Sequence, residues 1–582
     1  MRKSLLFVLV LLLSFGFMAF ADVGTEGVEG EADYIIEDVQ GIPGGTYYVG
    51  ALGGPKTFNP CEAQETSSTD IIDRMFATLV DYGKDSEFRG GDIAKSWEVT
   101  EDNTGWYFHI RKGLKWSDGQ PLTAEDVVWS FNEVYKVEGL ITGNTIDVIR
   151  DGDGNLPEVK LIDEDTVLIK YPQPFAPGLR TLGAVTILPK HVMQEAVENK
   201  TISEIWTVSD VDDLVASGPY IVTEHIPEVR VVMEKNPYYH RFDTAGNRLP
   251  YFDKLVWVIC QDQNTMRLKF EAGETDFLAV PADDYPAIKG QEQEKGWVVG
   301  PYGPTTSTLF LALNFNTTNQ TMNEWFRNVH FRRALSYAMD RDAMIDVIYN
   351  GLAQPQWGPI SPASPFYDPL VEDYSYPFSL EDARASLEKG GFSWNDDGKL
   401  VDKYGNIVKF DLTTNAGNQV REKACNLIVD TFGQLGIEAV FNPIEFNTLV
   451  QKLMNTGDWE TMIMGLTGGV DPHSGSNVSK IDGGLHFWNY SPAVADFVDP
   501  EFYEITYSEF RIDEIFKAQT KEMDPDKRFA LFSEYQVLSA QNLPLIYTVQ
   551  QLRLYAYPQN LKNIQIGGFS SWVWNLWGLY KD

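Results

Sequence analysis

The chain has 582 residues, too many for one hydrophobic core, and its length predicts two to four domains. With 83 acidic residues against 47 Lys and Arg, its formal charge of −36 argues against nucleic acid as a partner. Three cysteines, Cys61, Cys260 and Cys425, lie far apart without C-x-x-C spacing, so they offer no metal or redox motif and at most one disulfide.

Residues 1–21 read as a signal peptide. Arg2 and Lys3 precede the apolar run Leu5 to Leu13, and Ala19-Phe20-Ala21 supplies the small-x-small pattern of a cleavage site, so cleavage is expected after Ala21. That run is too short to span a bilayer, and no later segment reaches about 18 uninterrupted apolar residues. Residues 22–43 form an acidic, Gly- and Glu-rich leader with too little apolar surface to order itself. TYYVGALGGPKTFNP, from Thr46, then reads as a strand running into a Gly/Pro loop.

Residues 94–131 are the most legible stretch. Trp106, Phe108 and Ile110 alternate with Tyr107, His109 and Arg111, the two-residue period of a half-buried strand. Ser117-Asp118-Gly119 supplies a turn, and Thr123 stands three residues before Asp126 as the cap of a helix through Val127, Val128 and Phe131. From Ser217, SGPYIVTEHIPEVRVVMEKNPYYH reads as two strands about a turn at Pro227-Glu228, and LPYFDKLVWVICQD as another strand. Phe331, Ala334, Leu335, Ala338 and Met339 follow helical spacing, with Gly351 as the expected C-cap. Helix (Val420 to Leu435), strand (Ile437 to Ile444), helix (Phe446 to Asn455) and strand (Trp459 to Leu466) then alternate, which predicts α/β layers around a sheet. A helix ending near Gln541 gives way to C-terminal strands.

The wording W-x-F-x-I-R-K-G-x-K-W-S-D-G-x-P-L-T-A-E-D-V resembles the signature of family 5 extracellular solute-binding proteins, receptors of ABC importers. G-P-Y, N-P-Y-Y, L-P-Y-F-D and G-E-T-D resemble further family wording, so the likeness runs from about Gly44 to the end. It implies a two-lobed α/β periplasmic binding protein fold (type II, cluster C) with an additional domain inserted in the first lobe. The corresponding boundaries are 44–62, 206–308 and 546–582 for the first lobe, 63–205 for the inserted supporting domain, and 309–545 for the second lobe. Lipoprotein members carry a Cys directly after the cleavage point, whereas the first Cys here is Cys61, so a free monomeric periplasmic receptor is expected, with a membrane permease as partner.

No H-E-x-x-H, G-x-S-x-G, Walker A or G-x-G-x-x-G occurs, so neither catalysis nor a cofactor is expected. Asp151-Gly152-Asp153-Gly154-Asn155 begins like a calcium loop, but Leu156 and Ile162 occupy the positions where Gly and Glu are required, and no metal site is assigned. A pair of carboxylates for glycoside hydrolysis can always be found among so many acids, which keeps a secreted glycosidase as a rival of a different class.

Ligands of α/β lobes gather outside the carboxyl ends of strands, which directs attention to T-G-G-V-D-P-H after the strand ending at Leu466. In peptide-binding relatives this loop resembles D-x-x-[D/E]-P, its first Asp pairing with the peptide ammonium. Gly468 stands at that position here and Asp471 at the second acidic one. An ammonium buried without its counter-charge costs several kcal/mol, so an oligosaccharide is the expected ligand and an oligopeptide the alternative. Pyranose faces stack on Trp, and Trp357, Trp488 with Asn489, Trp572, Trp574 and Trp577 fall in segments that the resemblance places near the cleft. Asn314, with Asn316 on the same strand face, and Gln64, with Glu65 and Ser67, complete the candidate site.

Overall fold

A computed structural model describes residues 33–137, 140, 145–209, 211–567 and 573–582. The expectations for residues 1–21, most of the leader, and Trp572 lie outside the described residues.

Strand β1 (Thr46–Ala51) leads through the Gly/Pro loop into helix α1 (Thr66–Met75). One face of α1 buries Ile71, Ile72 and Met75, which leaves Thr66, Thr69, Asp70 and Asp73, spaced i, i+3, i+4 and i+7, for another surface. Strands β2 (Ala94–Val99) and β3 (Gly105–Ile110) follow, and Trp106, Phe108 and Ile110 are buried as their alternation predicts. The turn places Gly119 at φ +86, and α2 (Ala124–Trp129) opens with the Thr123 N–H donating to the Asp126 carboxylate at 2.8 Å, the reciprocal arm of the expected cap. Helix α3 (Thr145–Ile149) and strands β4 (Glu158–Leu161) and β5 (Thr166–Lys170) complete an antiparallel sheet of order β2-β3-β5-β4.

The predicted hairpin is β6 (Tyr220–Ile226) with β7 (Arg230–Lys235), turned by Glu228 at φ +58. It joins β8 (Lys254–Ile259), which lies parallel to β1, in a sheet of order β1-β8-β7-β6. Short β9 (Leu278–Ala279) and β10 (Trp297–Pro304) begin another sheet.

After β10 the chain steps through Thr305–Ser307 into β11 (Thr308–Leu313) of a five-stranded sheet. Helices α4 (Val329–Ala338) and α5 (Arg341–Val347) follow, then β12 (Lys409–Asn415), α6 (Gln419–Gln434), β13 (Glu438–Ile444), α7 (Phe446–Gln451) and β14 (Thr461–Leu466). The single helix expected through to Gly351 is two helices: the Asp340 carboxylate accepts from the Ala343 N–H at 2.8 Å and caps a second start. Long α8 (Tyr507–Lys521) and α9 (Pro525–Asn542) precede β15 (Leu545–Tyr547), which closes the order β13-β12-β14-β11-β15. The chain recrosses at Thr548 into β16 (Val549–Pro558), which lies between β9 and β10.

Two strand-to-strand crossings therefore join the bodies. Arg341 is buried with no acidic partner among the described residues and donates to the Tyr547 and Thr548 carbonyls, and the Ser361 hydroxyl donates to the Thr305 carbonyl at 2.8 Å, which ties both crossings in place. One large core unites the β1 sheet with the β2–β5 sheet, and a second lies around the five-stranded sheet. Cys61, Cys260 and Cys425 are buried free thiols, so the single disulfide allowed by sequence does not form.

Candidate functional site

A cavity of about 460 Å³ separates α1 from the five-stranded body. One wall is Gln64, Glu65, Thr66, Thr69, Asp70 and Asp73; the other includes Arg421, Phe446, Leu449, Val450, Met464 and the backbone from Gly465 to Gly469. A second chamber of about 320 Å³ shares Thr66, Thr308, Arg421 and Gly465–Thr467 with the first, so the two meet beside Arg421. They are electrically unlike. Three carboxylates face the first chamber, whereas the second is lined by Arg421 and Arg553 with no Asp or Glu among the described lining residues.

Burial pushes the Asp70 carboxyl up to about 7, with Arg74 opposing the shift and Asp73 adding to it. Asp73 is also raised by burial, although its side chain is exposed, because the surface it exposes is cavity wall. Arg421 sits in the first turn of α6, where the helix dipole disfavours a cation, and burial lowers its pKa. Its guanidinium donates to Asn415 Oδ1 at 2.7 Å and makes no ion pair with a described residue. The end of β14, at Gly465 and Leu466, lines both chambers. Its register with β12 stops at Thr413 opposite Met462, so on that side Ile463 to Leu466 have no strand partner among the described residues.

Of the residues predicted from sequence, the structure brings Gln64, Glu65 and Gly468 to the cavity wall, and Ser67 is not among its described lining residues. A Cβ built on Gly468 lies 2.5 Å from the Thr306 carbonyl oxygen, so the backbone crossing itself keeps this position free of a side chain. Asp471 is already committed. Its two oxygens accept from Arg528 at 2.7 Å each, and one also accepts from the His473 N–H at 2.9 Å. Burial alone raises this carboxyl, but the hydrogen bonds and charge of Arg528 outweigh burial and hold it below the usual range.

The expected stacking platforms are elsewhere, for physical reasons the sequence could not show. Trp488 is 4% exposed, lies 4.1 Å from the His486 ring between centroids, and donates to Glu509 at 3.2 Å, so it is core. Asn489 donates to Glu509 and to the Glu504 carbonyl, each at 3.0 Å, and accepts from Arg327 at 2.9 Å. Asn314 donates to the Gly457 and Trp459 carbonyls at 3.0 and 2.8 Å, and Asn316 donates to the Tyr490 carbonyl at 3.1 Å. Trp357 carries the Arg341 guanidinium 4.4 Å above its ring. Trp574 donates to the Tyr82 carbonyl at 3.0 Å and packs edge-on against Trp577. No tryptophan is among the described residues lining either chamber.

Missed at the sequence level were Asp70, Asp73 and Arg421. A polar i, i+3, i+4, i+7 stripe opposite Ile71, Ile72 and Met75, and a cation misplaced in a helix's first turn, were the available signals.

Two bodies, joined by two backbone crossings and enclosing a cavity between them, define a two-lobed solute-binding protein. Residues 90–481 match the model of the bacterial extracellular solute-binding proteins, family 5 (middle region), and the chain belongs to this family of ABC-importer binding proteins. A probable ABC transporter-binding protein of Deinococcus radiodurans is 29% identical over 90% of each chain. The oligopeptide-binding protein AppA of Bacillus subtilis is 25% identical over 85% of this chain and 87% of its own. Among solved structures, AppA of Bacillus subtilis in complex with a nonapeptide matches with a TM-score of 0.78, at 22% identity, over 93% of this chain and all of that one. MelB of Agrobacterium fabrum in complex with stachyose matches with the same TM-score of 0.78, at 21% identity, over 95% of this chain and 86% of the other. No helix among the described residues is long and apolar enough to cross a membrane.

Proposed function

We propose that the cleft captures a short zwitterionic peptide, and that hinge closure about the two crossings presents the closed form to a membrane permease. The ammonium faces Asp70 and Asp73, the carboxylate enters the acid-free chamber beside Arg421, and the peptide backbone lies along the open edge of β14. The observation carrying this reading is the unlike charge of two chambers that meet along Gly465–Thr467, beside a stretch of β14 with no strand partner among the described residues. The oligopeptide-binding role in the name of the Bacillus subtilis relative AppA points the same way. Because Gly468 bears no carboxylate and the loop's Asp471 is already paired with Arg528, the ammonium is held from the α1 side instead. Removal of residues 1–21, a periplasmic monomer, and the division into lobes at 44–62, 206–308 and 546–582, with 63–205 inserted and 309–545 opposite, belong to the same proposal.

An oligosaccharide is the second reading, favoured by the hydroxyl and amide wall of Gln64, Thr66 and Thr69 and by the uncharged loop at Gly468. A thermal-shift screen of di- to pentapeptides, their N-acetylated and C-amidated forms, and β-linked di- to tetrasaccharides separates the two. Stabilisation by free peptides that vanishes on acetylation supports the first reading; stabilisation by saccharides alone overturns it.

A further inference from the structure

The segment carrying α3 reaches past the cleft and grips the opposite lobe. His473, two residues beyond Asp471, donates from Nε2 to the Val148 carbonyl at 2.8 Å, and its Nδ1 accepts from the Gln519 amide at 2.7 Å. Gln519 in turn accepts from Arg528, the partner of Asp471, so a buried chain of hydrogen bonds runs from the cleft loop to α3. One donor and one acceptor suit a neutral imidazole, and burial lowers the His473 pKa to about 4. Three further contacts stand beside it. The Gly484 N–H donates to Asp147 at 3.1 Å, the Ala176 N–H to the Thr520 carbonyl at 2.7 Å, and Lys521 pairs with Asp153. A side chain at Gly152 would collide with the Lys517 carbonyl, so the backbones themselves come close here. The run from Asp151 to Asn155, which only begins like a calcium loop in sequence, is therefore an arm pressed against the end of α8.

We propose that residues 145–176 form a clasp that closes over the cleft loop and the end of α8 and stabilises the closed arrangement of the two lobes. The His473, Asp147, Ala176 and Asp153 contacts each join the two bodies that hinge motion must separate, so opening breaks all four together. Its buried link to the cleft, through Asp471, lets a shift of that loop loosen the grip. This inference rests on the two-lobed receptor reading and is independent of the ligand's chemistry, so its failure leaves the peptide proposal standing.

Pulsed electron spin distance measurements on the whole chain without added ligand test it. Cysteines placed at Glu98 and Tyr404, both exposed and on opposite bodies, take the labels, while the three native thiols are buried. Two backgrounds are compared with the native clasp: Asp147→Ala with Asp153→Ala, and the surface change Lys521→Glu. A hydrogen-bonded tether and a partly exposed ion pair together support about a tenfold rise in the open-to-closed ratio for the first, with a smaller rise for the second. Exchanging the charges, Asp153→Lys with Lys521→Asp, restores the short distance relative to Lys521→Glu. Identical distance distributions in all backgrounds, with unfolding midpoints unchanged, overturn the clasp.

Discussion

Replacing Asp471 by Asn tests whether this carboxylate serves the ligand or the fold. Asn keeps the shape and an acceptor for the His473 N–H, but it removes the charge facing Arg528, a pair whose side chains are only 10% and 13% exposed. Gln519 Oε1 then remains as the main acceptor for a buried guanidinium. Breaking a buried pair from one side costs about 3 to 5 kcal/mol, and the retained acceptor puts this change near 3. With a urea dependence of about 3 kcal/mol per molar, the unfolding midpoint falls by about 1 M. Urea titration of the ligand-free protein, followed by tryptophan fluorescence, measures it. The sign with pH follows from the depressed carboxyl: its contribution is fully present above the unfolded value near 4 and is lost as pH falls through the lower folded value, so the mutant and parent midpoints converge in acid. An unchanged midpoint together with a collapse in ligand affinity would refute this reasoning and return Asp471 to the role of counter-charge.

Three further outcomes follow from the geometry. Trp488→Ala should destabilise the protein by about 3 to 5 kcal/mol, with ligand affinity preserved once the variant is folded, checked by denaturation and calorimetry at low temperature. Gly468→Ala should lower ligand affinity about tenfold, because the methyl group meets the Thr306 carbonyl and the loop must move; unchanged affinity in a binding titration counts against the close approach. Asp70 titrates near 7 in the folded chain against 3.8 in model compounds, so its protonated form is favoured by folding and its stabilising effect is lost as pH rises through 7. A cation docking there reverses that preference. Calorimetry at pH 6 in two buffers of different ionisation enthalpy should show proton release on peptide binding, and Asp70→Asn should reduce it, with Asp73 supplying any remainder.

Much of the fold was legible because its signals are local. Trp106, Phe108 and Ile110 alternate along one strand, the Thr123–Asp126 spacing starts a helix, and the hairpin about Glu228 turns where its residues permit. Asp340 was misread because the apolar period of α4 continues into α5, while the break is a cap that only Asp340 and Ala343 record. The candidate site was less legible. Aromatic and amide residues have equal reasons to be core or cleft, and partners from distant segments decided the matter: Glu509 for Trp488 and Asn489, Tyr82 for Trp574, and the Gly457 and Trp459 carbonyls for Asn314. Gly468 was located correctly by its place after a strand, yet the reason for glycine lies in a crossing more than a hundred residues earlier in the chain.

The continuous core beneath β1 and β3 has a mechanical consequence. The β2–β5 sheet shares that core with the β1 sheet, so no separate core divides the arm from the body that carries it, and in the proposed hinge closure rotation at the crossings would carry to the far tip. Stiffness at a distance then becomes part of affinity. Gly178 lies where any side chain would strike the Trp106 ring, and a methyl group there would add compliance to the lever far from any ligand. Under the proposed clasp, such a change would register as faster opening rather than as a lost contact.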